Sequence, residues 1–160
     1  MGASGGPNTV HDGLVFGLEA ADKNSYIGSG TTWSDLSPNG YDGTLSAAAI
    51  GTVSSSLKTM AFNGSAYVEI DDAKDLVAVT VDWSVSLWFK LNALGTGNNQ
   101  HIFSQQIGVD DRMAICQNGA DSLVTCTVDE STYYNQSETI TANTWHHVVL
   151  VWDTTQVGLP

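Results

Sequence analysis

Positive charge is what this chain has least of. Five Lys and Arg stand against 17 Asp and Glu, a formal net charge of -12 over 160 residues. Such a surface repels a phosphate backbone and an anionic bilayer, so neither nucleic acid nor membrane is expected as a partner. Cysteine is nearly as scarce. Cys116 and Cys126 have no second thiol pair, and the histidines sit elsewhere, which disfavours a thiolate metal centre. No apolar run approaches a membrane span. The first ten residues lack a basic start and residues 14–18 are too short for a leader's apolar core, so no secretory signal is read and synthesis in the cytoplasm is expected. Helical periodicity is almost missing, and so is any Ser-His-Asp or Cys-His constellation.

What is present is ordinary core-forming material. Hydrophobic residues make up 42% of the chain, too rich for disorder. One domain of this length buries about 68–70% of its unfolded surface and needs no metal or disulfide for a core. Only 14% of residues are charged, so the surface is polar through Ser, Thr, Asn and Gln, as suits a packed assembly or a secreted particle. The surplus negative charge must be spread, screened, neutralised by a cation or met by a basic partner.

The hydrophobic pattern has a period of two. Residues 82–91 put Trp83, Val85, Leu87 and Phe89 on one face and Ser84, Ser86, Trp88 and Lys90 on the other. The first face predicts the core side. Trp88, on the polar side, either stacks on a ligand or lies under a loop or a neighbouring subunit, with loop cover favoured. Residues 145–153 alternate with both faces largely apolar, which predicts a central strand. Further strands are expected at 14–18, 58–62, 67–70, 102–105, 113–117 and 123–128. Asn63-Gly64 predicts a hairpin turn. Asn118-Gly119-Ala120-Asp121 predicts another, centred near Asp121, which sets Cys116 opposite Cys126. A cross-strand bond is then geometrically open, although two small buried thiols are the favoured reading. Residues 22–46 read as a long irregular loop anchored by Tyr26, Trp33, Leu36 and Tyr41, with a turn at Pro38-Asn39-Gly40. One helical turn is expected at 73–77, and 129–144 reads as polar connection. Roughly nine short strands and no repeat predict an all-β antiparallel jelly-roll sandwich.

Several segments carry a resemblance. Phe62-Asn63-Gly64 with Tyr67 and Val68, the serine-flanked strand from Ser84 to Lys90, and Trp145, His147 and Val148 resemble the concanavalin A-like lectin/glucanase superfamily in its laminin-G-like branch. The stretch from Gly13 to Leu45 is similar to a block found in tailed-bacteriophage structural proteins of that family. It includes Gly28-Ser29-Gly30-Thr31-Thr32-Trp33, Asp35-Leu36-Ser37 and Asp42-Gly43-Thr44-Leu45. The resemblance runs from about Gly13 to Asp153, which divides the chain into an N-terminal arm, 1–12, and a jelly-roll domain, 13–160. It implies a virion component made in the host cytoplasm, such as a decoration, fibre or tail-associated protein. Its partners would be other capsid or tail proteins or further copies of itself. Family domains add strands after the one matching 145–153. Either another chain completes the sheet, or the fold is shortened, or the sequence continues.

Catalysis is not expected. The glucanase members use paired carboxylates; here the closest pair is Glu69 with Asp71, and the glucanase acidic motif is absent. His146 and His147 are strand neighbours and point to opposite faces, so they do not share an ion. Related lectin-like domains hold calcium in rim loops, and the resemblance makes Asp22, Asp35, Asp42, Asp110 and Asp111 candidate ligands, each otherwise a turn former or a solvated charge. A glycan site would use an exposed aromatic with polar neighbours. Trp88 is one candidate, and Tyr133, Tyr134 and Asn135 form another. Exposed aromatics equally mark protein interfaces. The virion structural role is therefore the first expectation, and a lectin-like module for host-surface glycans, with or without calcium, is the alternative.

Overall fold

The computed structural model describes residues 12–46, 59–71, 76, 80–96, 100–106, 112–117, 123–128 and 132–156, where alternating β-branched, aromatic and polar residues form strands that all pair antiparallel. The chain divides into two compact units, Met1–Leu76 and Val77–Pro160. The expected arm, the expected turn at 73–77 (apart from Leu76), Asp110 and Asp111 lie outside the described residues. Among the described residues no helix is long and apolar enough to cross a membrane.

The first unit holds a three-stranded sheet of β1 (Thr32–Trp33), β2 (Gly43–Leu45) and β3 (Val68–Glu69), in that order and all antiparallel. Its small core is Tyr26 and Leu45, buried against Trp33, Met60, Ala66 and Val68. The segment 22–46 is therefore less irregular than its composition predicts. Two sequence readings are corrected here. Residues 14–18 form no strand. Their backbone bonds instead to side chains of the 35–39 turn, with the Ser37 hydroxyl and the Asn39 amide both donating to the Val15 carbonyl. Residues 59–62 also form no strand, because β3 takes its ladder from β2, with Leu45 opposite Val68. Asn63 closes a local turn by accepting the amides of Ser65 and Ala66, and Gly64 supplies the positive φ of 87°.

β2 passes so close to β3 that only glycine fits at position 43. A Cβ there would lie 2.5 Å from Val68 Cγ1 and 3.4 Å from Leu18 Cδ1. Val68 is branched at Cβ and cannot swing aside. Gly43→Ala is expected to destabilise the fold by about 1–3 kcal/mol through overpacking. Adding Val68→Ala should restore part of that loss, as read from the urea midpoint.

The second unit contains β4 (Trp83–Phe89), β5 (Gln100–Gln106), β6 (Arg112–Gln117), β7 (Leu123–Val128), β8 (Thr132–Thr139) and β9 (His146–Trp152), followed by a 3-10 turn at Thr154–Gln156. β4 pairs with β9, and β5 to β8 form a second sheet in sequence order. The inward residues Trp83, Val85, Leu87, Val148, Leu150 and Trp152 pack on a buried centre of Phe89, Met113, Ile115 and Ile140. Two antiparallel layers thus share one core, as the period-two pattern predicts. Trp83 and Trp152 are direct cross-strand partners with stacked rings 6.1 Å apart, a contact worth about 0.5–1.5 kcal/mol beyond area burial.

Three details differ from expectation. β8 runs through the segment read as polar connection. β9 is not flanked on both sides among the described residues; it pairs with β4 alone, and its second apolar face is open. β6 and β7 are the strands flanked on both sides, and in β6 Met113, Ala114, Ile115, Cys116 and Gln117 are all buried. The Gln117 side chain is kept there by accepting the Gly95 amide at 2.9 Å, as a buried amide requires. The β6–β7 register sets Cys116 opposite Thr125 and Cys126 opposite Ile115. The cysteines therefore miss direct opposition by one residue, and the expected turn at Asn118-Gly119-Ala120-Asp121 lies outside the described residues.

Candidate functional site

Strict alternation along two paired strands gives the second unit an outward face with ordered chemistry. The register opposes Trp88 to His147, Ser86 to Val149 and Ser84 to Val151. Lys90 and Trp145 extend this face one step beyond the Phe89–His146 pair, with Lys90 Nζ 5.7 Å from the centre of the Trp145 ring. Asp82 and Asp153 flank the opposite end, beyond the Trp83–Trp152 pair. The face thus runs from a cation and two indoles, through valines and serines, to two carboxylates.

Trp88 is 66% exposed. The favoured sequence reading, cover by a loop, is overturned. Its ring stacks on His147 at 4.6 Å between centroids and 16° between planes. The Ser86 hydroxyl lies 2.9 Å from His147 Nε2 and fixes the imidazole on its other side. His147 is therefore held by a hydrogen bond, as expected, but on the open face and not in the core. His146 points the other way, stacks on Phe89 at 5.6 Å and places Nε2 3.2 Å from the Thr141 carbonyl. The adjacent histidines do separate across the sheet. Val149 and Val151 continue the strip, 51% and 66% exposed. Large apolar groups aligned in this way, and not scattered singly, mark an interaction surface.

The carboxylate end is well fixed. Asp82 Oδ1 accepts the Thr154 amide at 2.8 Å and hydroxyl at 2.7 Å. The hydroxyl and amide of Thr154 hold the Asp82 carboxyl below its usual range, so it stays ionised at neutral pH. Asp153 Oδ1 accepts the Thr155 amide and hydroxyl in the same way.

The aspartates of the first unit do different work. Asp35 is saturated by protein donors. It accepts the amides of Gly17 and Ser37 at 2.9 Å, the Ser37 hydroxyl at 2.6 Å and the Tyr41 amide at 3.0 Å. A carboxylate has about four such acceptor positions. Burial pushes the Asp35 carboxyl up, but the Ser37 hydroxyl and the amides of Ser37, Gly17 and Tyr41 together outweigh it and hold the group below the usual range. Asp42 accepts the Asp35 amide at 2.9 Å, and Asp22 accepts the Asn24 amide at 2.8 Å. Among the described residues no cluster of three or more His, Cys, Asp or Glu side chains is placed to hold a metal ion.

Tyr133, Tyr134 and Asn135 lie within β8, where their register partners are Thr127, Cys126 and Thr125. Glu69 sits in β3 opposite Thr44, and Glu69 and Asp71 are both exposed. The sheet also brings His101 opposite Cys116, a meeting that their spacing did not require. Burial pushes the Cys116 thiol up, away from the thiolate that a nucleophile or metal ligand needs.

The Trp88–His147 stack is the feature that sequence reading missed. The parity of each strand was available, since Trp88 and His147 were already assigned to definite faces. What was missing was the pairing of β4 with β9, which joins those two faces into one.

A laminin-G family model, described as the concanavalin A-like lectin/glucanases superfamily, matches residues 62–159. No curated protein and no solved structure matches the chain.

Proposed function

The chain belongs to the concanavalin A-like lectin/glucanases superfamily, and from that premise we propose that it is a non-enzymatic structural component of a tailed-phage particle. It binds a neighbouring virion protein through the outward face of β4 and β9. The observation that carries this reading is the uncovered strip of Trp88, Val149 and Val151, half or more exposed and aligned on one face of paired strands. Burying such a strip under another chain removes apolar area from water, at about 25 cal/mol per Å² before association costs. The likeness of the 13–45 block to phage structural proteins supports the setting.

A lectin role is the second reading, and the flat Trp88–His147 stack favours it, because the C–H face of a sugar ring packs on such a surface. Sugar hydroxyls also need polar partners beside the aromatic. The nearest candidate, Ser86, is already engaged by His147, and its row partner is the aliphatic Val149. That chemistry fits a protein surface better than a sugar.

The chain should co-purify in stoichiometric amount with particles of its phage. Trp88→Ala is expected to weaken that association by roughly 2 kcal/mol, about thirtyfold, while leaving the melting temperature nearly unchanged. Binding of the isolated chain to a glycan array, abolished by the same substitution, would support the lectin reading instead.

A further inference from the structure

The outward face of β4 and β9 is complementary to itself. Its rows, in order, are Lys90 with Trp145, Trp88 with His147, Ser86 with Val149, Ser84 with Val151, and Asp82 with Asp153. We infer that the neighbour covering this face is a second copy of the same chain, related by a two-fold axis that lies in the interface perpendicular to the strands and crosses the Ser86–Val149 row. This inference rests on the reading of the face as a protein interface and names its occupant.

The geometry of that axis decides the contacts. It lays β4 on β4 and β9 on β9 with the strand directions reversed. Lys90 then meets Asp82 of the copy, and Trp145 meets Asp153. Trp88, the largest group of the strip, meets Ser84, one of its smallest, so the indole has room between layers about 10 Å apart. His147 meets Val151, and Val149 meets its own counterpart. The other in-plane axis, parallel to the strands and between them, would lay β4 on β9, setting Lys90 on Trp145, Trp88 on His147 and Asp82 on Asp153, so that both carboxylates are left without a cation. Opposite charges at the two ends and a large-to-small pairing between them are what a closed isologous contact requires. Asp82 and Asp153 are already oriented by Thr154 and Thr155, so little ordering is left for the binding step. The whole chain carries -12, so two copies repel at long range. At about 0.15 M salt that repulsion is screened beyond about 8 Å, and the contact pairs persist.

The test is analytical ultracentrifugation of the full chain over a range of concentrations at that ionic strength. A reversible dimer is expected. Lys90→Asp and Asp82→Lys should each weaken it by about tenfold or more, since each sets like charges against one another. An equimolar mixture of the two variants should recover the dimer, because Asp at 90 then meets Lys at 82. Trp88→Ala supplies a further variant at an exposed position, and it too should favour the monomer. A chain that stays monomeric at every concentration overturns the inference, as does a dimer indifferent to Lys90→Asp and Trp88→Ala. If the monomeric chain still joins particles in a Trp88-dependent way, the second copy is excluded while the structural role stands. If Trp88 is needed only for glycan binding, both fall.

Discussion

Ile115→Ala is expected to lower the unfolding free energy by about 3–4 kcal/mol. Ile115 is 1% exposed and lies in the buried centre with Phe89, Met113 and Ile140. Its strand, β6, is paired on both sides, so its backbone cannot move inward to fill the gap. Truncation therefore removes buried methyl groups and leaves a cavity that relaxes little, the situation in which such substitutions reach the upper part of their 2–5 kcal/mol range. Val149→Ala is the matched control. It removes two methyl groups from an exposed position of the same unit and should change stability by about 0.5 kcal/mol or less. Urea unfolding followed by tryptophan fluorescence reads both, because the Trp83–Trp152 stack reports on this core. A loss below about 1 kcal/mol for Ile115→Ala would mean that the two layers do not share a tight core.

Asp35→Ala is expected to cost about 3 kcal/mol in the first unit. Four donors converge on this carboxylate, and Gly17 joins them from 18 residues upstream. Net contributions of about 1 kcal/mol per bond, discounted for partial exposure, give that figure. Asp35→Asn keeps one acceptor oxygen and should lose about half as much. The pH dependence has a definite sign. The folded-state pKa lies below the unfolded one, so the stabilisation is fully present above the unfolded value, about pH 4, and is lost as pH falls through the lower folded value. The wild-type chain should therefore lose stability across that acid window, and Asp35→Ala should flatten the loss. An unchanged acid profile in the variant would show that Asp35 is not the group responsible.

Much of this architecture was readable in the residues. The two-residue period of 82–91 and 145–153 assigned Trp83, Val85, Leu87 and Phe89 to the inner face correctly, and it separated His146 from His147. The strands expected at 113–117 and 123–128 do pair as β6 and β7, one residue out of the expected register. Other segments were illegible for identifiable reasons. β8 reads Thr-Tyr-Tyr-Asn-Gln-Ser-Glu-Thr, without an apolar alternation, and it is a strand because β7 offers it a ladder. Residues 14–18 are apolar enough for a strand but find Ser37 and Asn39 where a ladder partner would be. Asp35 reads first as a turn former or a solvated charge and only then as a calcium ligand; its saturation is illegible because three of its four donors are backbone amides, one of them 18 residues away.

The sequence by itself determined the β-class, the parity of β4 and β9, and the acidic balance of the chain. These are short-range properties, because pleating and charge are written residue by residue along the chain. Tertiary structure alone decided which of β9's two apolar faces is inward, that Trp88 stands open on His147, and that Asp35 is saturated by three amides and a hydroxyl. Each of those depends on which remote segment comes to lie alongside, and strand order and burial are set by the free energy of the whole packed assembly of layers, not by any single stretch.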